Sequence, residues 1–171
     1  TEENKEDLIA TMAATAFNNY KRESIPPTDF SILENTSTLD VVEYHSMLLK
    51  VLRPALDIQE HDFVILTRSL ASTPVGDAAM QQLLHNLEIY KTSVAGLKDM
   101  DIPRDVFEGH YNLTNGLLEL TNLIEHLQSL KIDPLTSVSA LREYPAVEAK
   151  LKFSLNEIDR YFKKYNLSFE S

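Results

Sequence analysis

The chain has 171 residues, 43% apolar and 25% charged, with 4 glycines, no cysteine and a formal net charge of −10. That length lets one domain bury a core unaided, and the absence of cysteine excludes a disulfide framework, a thiol nucleophile and a thiolate metal site. The acidic balance argues against a nucleic-acid binder, which needs clustered Lys and Arg, and against adsorption to an anionic membrane.

The first predicted helix covers about residues 3–22. Leu8, Ile9, Met12, Ala13, Ala16, Phe17 and Tyr20 recur in steps of three and four, which lays one apolar stripe along a helix. Glu2, Glu3, Glu6 and Asp7 stand in its first turns and Lys21 and Arg22 in its last, the order that complements the helix dipole. Pro26 and Pro27 end it, and the stretch Ser24–Asn35 reads as an extended connection with at most one short turn.

Thr36, Ser37 and Thr38 offer N-caps for the next helix, with Asp40 in its first turn. Its predicted stripe is Leu39, Val42, Leu49, Leu52 and Leu56, with a kink or break near 53–58 at Pro54, after which the period resumes through Phe63, Leu66 and Leu70. Ser72-Thr73-Pro74 is a cap followed by Pro at the first helical position. The helix behind it carries Ala79, Leu83, Leu87, Tyr90, Val94 and Leu97. Asp101-Ile-Pro-Arg104 is the next boundary, followed by a helix with Val106, Leu113, Leu117, Leu120, Ile124 and Leu127 on one face. Asp133-Pro134 repeats the cap-plus-Pro signal and opens the last helix, with Leu141, Val147, Leu151, Leu155, Ile158 and Phe162 and an expected kink at Pro145. Asn166–Phe169 is an apolar tail expected to fold back.

Short connections favour antiparallel neighbours. The expected fold is therefore all-α, an up-and-down antiparallel bundle of four to five helices in one domain over 1–171. Residues 1–22 form a separable first helix, 23–37 a linker, 38–165 the main bundle and 166–171 a tail.

Chemistry is sparse on this scaffold. A di-iron bundle needs Glu-x-x-His on two helices. None of His45, His61, His85, His110 and His126 follows a Glu at that spacing. No Gly-x-Ser-x-Gly elbow or Gly-rich phosphate loop is present. The expectation is a protein without catalytic residues, metal or cofactor. The polar positions to watch are structural: His110 near the stripe of its helix, Asn115 five positions on, and the Asp133-Pro134 helix start. His110 and Asn115 are expected to hydrogen-bond to neighbouring helices or loop backbone.

Ile102-Pro103, His110, Leu113, Asn115, Asp133-Pro134-Leu135, Tyr144 and the run Tyr161–Phe169 together carry a resemblance. In this pattern a His stands seven residues after Pro103 and an Asn five after the His. It is similar to that of a group of uncharacterised helical-bundle proteins of candidate-phyla (Parcubacteria-type) bacteria, over about residues 38–169; Pro145 departs from it. The resemblance implies an extracytoplasmic protein of the cell envelope or exterior, in company with pilus or secretion components. The chain opens at Thr1 without an initiator Met, and the expectation is that an upstream anchor or signal has been removed. No contact of the chain itself with a membrane is expected. The functional expectation is a non-enzymatic bundle acting by protein–protein interaction; the competing expectation is a cytoplasmic helical adaptor or chaperone-like binder.

Overall fold

The computed structural model of the chain describes residues 23–71, 77–128 and 134–169. The expected helix over 3–22, the Ser72-Thr73-Pro74 cap and Asp133 lie outside the described residues. Five helices follow in chain order: α1 (Thr38–Leu56), α2 (Asp62–Ala71), α3 (Asp77–Lys98), α4 (Phe107–Gln128) and α5 (Pro134–Lys163). Two short strands, β1 (Ser31–Leu33) and β2 (Asp101–Pro103), complete the set together with single 3₁₀ turns at Pro27–Asp29 and Arg104–Val106. The fold is an all-α helical bundle.

The bundle is up-and-down. Gly109 lies against Ile158 and Gly116 against Leu151, so α4 and α5 run antiparallel. Lys91 pairs with Glu125 while Leu97 meets His110, which sets α3 antiparallel to α4. Three of the predicted stripes are the ones that pack. Leu83, Leu87, Tyr90 and Leu97 on α3 are buried, as are Leu113, Leu117, Leu120, Ile124 and Leu127 on α4 and Val147, Ile158 and Phe162 on α5.

The stripe predicted for α1 is a correction. The buried face is Val41, Tyr44, His45, Leu48 and Leu52; of the predicted stripe Leu52 belongs to it and Leu49 is half-buried, whereas Leu39, Val42 and Leu56 are 65%, 43% and 50% exposed. Apolar residues surround most of this helix, so two stripes at helical spacing compete. The one inside also carries the two polar groups, Tyr44 and His45, that find partners there. The N-terminus is closed by a capping box: the Ser37 hydroxyl accepts from Asp40 N–H, and the Asp40 carboxylate accepts from Ser37 N–H. The Ser37 hydroxyl, which also donates to the Asp40 carboxylate at 2.7 Å, and then the Ser37 N–H hold that carboxyl below its usual range. The helix ends two residues after Pro54, while α5 runs on through Pro145.

The linker carries order that the sequence did not announce. β1 pairs in parallel with β2, with Ser31 opposite Asp101 and Leu33 opposite Pro103. A two-armed Arg104–Glu34 pair at 2.6 and 3.0 Å extends the junction. Phe30 is buried at edge-on angles to Phe107, His110 and Tyr111. The tail does fold back. Asn166 adopts the left-handed conformation (φ 57), and Leu167 N–H returns to the Phe162 carbonyl at 3.1 Å, the Schellman stop. This brings Phe169 onto Phe162.

Candidate functional site

His110 sits in the first turn of α4 with no exposed surface. Its Nε2 lies 2.9 Å from the Leu97 carbonyl, an obligatory acceptor, so Nε2–H donates there. Nδ1 then accepts from the Tyr44 hydroxyl at 2.9 Å. Burial pushes the imidazole down to about 4, only partly offset by the Leu97 carbonyl. Burial likewise pushes the Tyr44 phenol up. The neutral ring therefore pins α1, the end of α3 and α4 together.

Asn115 does a similar task for the linker. Its Oδ1 accepts from Ile25 N–H at 2.8 Å, and its Nδ2 donates to the Ile25 and Tyr111 carbonyls at 3.3 and 3.2 Å. The side-chain amide thus pairs with an extended backbone as a neighbouring strand would. Pro134 is the first residue of α5. His110 and Asn115 stand on the same helix but at different surfaces, and neither lines the cleft between α1 and α5.

The sequence did not single out Asp62. This carboxylate begins α2 and is 1% exposed. Its Oδ1 accepts from Asn86 Nδ2 at 2.7 Å, and its Oδ2 from the Tyr90 and Tyr144 hydroxyls at 2.6 and 3.4 Å. Burial, then the Asp62 charge, pushes both phenols well above the ordinary tyrosine range. The available signal was Tyr90 itself, because a tyrosine on a buried stripe needs a hydroxyl partner. An Asp at a helix start otherwise reads as an ordinary dipole complement.

Tyr90 and Tyr144 form part of the wall of a cleft of about 290 Å³ between α1 and α5. Leu52, Ala55 and Leu56 of α1 line one side, Leu151 and Leu155 of α5 the other, and Leu113, Leu117 and Leu120 of α4 the floor. The two outer helices meet at one end, where His45 and Tyr44 pack on Phe162. His61, Glu148 and Lys152 stand in the polar part of the lining. Glu148 accepts from Lys152 at 2.6 Å and lies 3.4 Å from His61 Nε2. Lys152 first, then the His61 charge, hold its carboxyl below the usual range. Beside the cleft runs the outward edge of α1, where Val42, Leu49 and Leu56 repeat every seven residues, Val42 and Leu56 exposed and Leu49 half-buried.

No family profile, curated protein or solved structure matches this chain. Among the described residues no helix is long and apolar enough to cross a membrane, and no cluster of three or more His, Asp or Glu side chains is arranged to hold a metal ion.

Proposed function

We propose that this protein is a non-enzymatic interaction module of the cell envelope or exterior, a pilus- or secretion-associated accessory that takes an amphipathic helix of a protein partner along the outer edge of α1. The observation that supports the reading is the apolar line Leu39, Val42, Leu49 and Leu56. Single exposed leucines are ordinary. Four apolar positions sharing one helix edge, three of them 43–65% exposed, are the pattern a partner helix covers with anchors one to two turns apart. Leu56 belongs to both this edge and the cleft wall, so one anchor of the partner reaches the cleft mouth. The charge of −10 favours encounter with a partner face rich in Lys and Arg.

Val42→Asp with Leu56→Asp tests this reading. Both sites are substantially exposed, so the double variant is expected to keep its helical spectrum and melting transition. It is expected to lose the protein that co-purifies with the wild-type chain from producing cells. Retention of the same protein at the same level would refute the edge as the docking surface. The envelope placement rests on the resemblance, and fractionation of producing cells checks it: recovery of the chain only in the cytoplasm would remove that part.

A further inference from the structure

The interior of the cleft carries a chemistry that the α1 edge lacks. Tyr90 and Tyr144 both direct their hydroxyl protons at one oxygen of Asp62. With those protons committed, the phenols offer the cavity only oxygen lone pairs and ring faces. Behind them stands a carboxylate that is 1% exposed and held by neutral donors, since its other oxygen takes the Asn86 amide. Among the described residues no ion pair includes Asp62. Lys152 and His61, the basic groups in the lining, are both already engaged by Glu148. Lone pairs, ring faces and a buried carboxylate with no paired cation all attract a cation and repel an anion. The rest of the lining is apolar, mostly leucine with Ala55 and Ile58.

We propose that the cleft binds a small organic cation with an apolar tail, of the alkylammonium class, with its ammonium at Tyr90 and Tyr144 and its tail along Leu117, Leu120 and Leu151. The cavity of about 290 Å³ lies at the small end of ligand pockets, which run to roughly 1,000 Å³, so the tail is short. This site uses the inside of the cleft and does not depend on the partner-helix reading of the α1 edge.

Three probes that share one tail, n-hexylammonium, n-hexanol and n-hexanoate, separate head-group from tail in titrations of methyl- and tyrosine-labelled protein followed by NMR. Hexylammonium is expected to bind about tenfold more tightly than hexanol, with hexanoate weakest, because the charge behind the phenols acts through a partly dry medium. The shifts should fall on the methyls of Leu117, Leu120 and Leu151 and on the rings of Tyr90 and Tyr144. Asp62→Asn should bring ammonium and alcohol to the same affinity. Should that variant not fold, Tyr144→Phe serves instead: it removes one lone-pair donor to the cation and should lower the ammonium affinity while sparing the alcohol. Equal or tighter binding of hexanol or hexanoate to the wild-type chain would overturn the proposal. So would the absence of shifts at these residues with all three probes, or an unchanged ammonium preference in the variant that folds.

Discussion

Lowering the pH should loosen this bundle through one buried ring. His110 is neutral in the folded chain, donating to Leu97 and accepting from Tyr44, and its pKa falls from 6.5 to about 4. In the unfolded chain the imidazole takes up a proton as pH drops through about 6.5. Between those values the unfolded state binds more protons, so stability is full above the upper one, falls as pH falls, and levels off below the lower one. A shift of that size is worth roughly 3 kcal/mol, a large share of the 5–15 kcal/mol typical of a domain. Urea unfolding at pH 7, 5.5 and 4 measures the loss, and the same series on His110→Gln isolates this group from the carboxylates that titrate alongside it. The variant should start less stable, because the partners of the ring are imperfectly met, yet show a shallower pH dependence. An NMR titration of the imidazole gives the direct reading. A His110 that titrates near 6.5 in the folded protein, or a variant with the wild-type slope, would refute the reasoning.

Two glycines should respond oppositely to alanine. At Gly96 a new Cβ would stand 2.9 and 3.1 Å from the two γ-carbons of Val51, a stiff β-branched side chain, so Gly96→Ala should cost about 1 kcal/mol after the gain in helix propensity. At Gly116 the same carbon meets the Leu151 Cδ2 at 2.9 Å; that leucine lines the cleft and can turn, so Gly116→Ala should be neutral or stabilising in thermal melts. Asn115→Ala removes all three hydrogen bonds that hold Ile25 and Tyr111. It should speed hydrogen exchange of the Ile25 amide while costing about 1–2 kcal/mol in urea unfolding; unchanged exchange at Ile25 would contradict the pairing. Ser37→Ala opens the capping box and should cost about 1 kcal/mol, measured the same way.

The legible part of the fold was the part in which one stripe had no rival. On α3, α4 and α5 polar residues separate the apolar positions, and the periodicity named most of the buried apolar residues, though not Leu123, Tyr144 or Tyr161. Around α1, Leu39, Val41, Val42, Leu48, Leu49 and Leu52 offer two faces, and periodicity alone favours neither. The choice falls on the face where Tyr44 meets His110 and His45 meets the Ser168 carbonyl at 2.9 Å, contacts 66 and 123 residues away in the chain. The strand pair was hidden for a similar reason: Ser31–Leu33 and Asp101–Pro103 are three residues each, too short for alternation, and each is extended because the other is there. At the candidate site, Tyr90 and Leu117 could be placed on buried faces from their spacing. Asp62 could not, because its burial depends on donors from α3 and α5 that only the tertiary structure assembles.

Docking along the outer edge of α1 is tested most directly by site-specific photo-crosslinking from position 42, 56 or 47 in producing cells. Val42 and Leu56 lie on that edge, and Met47, 48% exposed, stands roughly 140° and 180° away from them around the same helix. One discrete protein adduct is expected from positions 42 and 56 and none from position 47. Adducts that form equally from position 47, or none from positions 42 and 56, would contradict the docking surface.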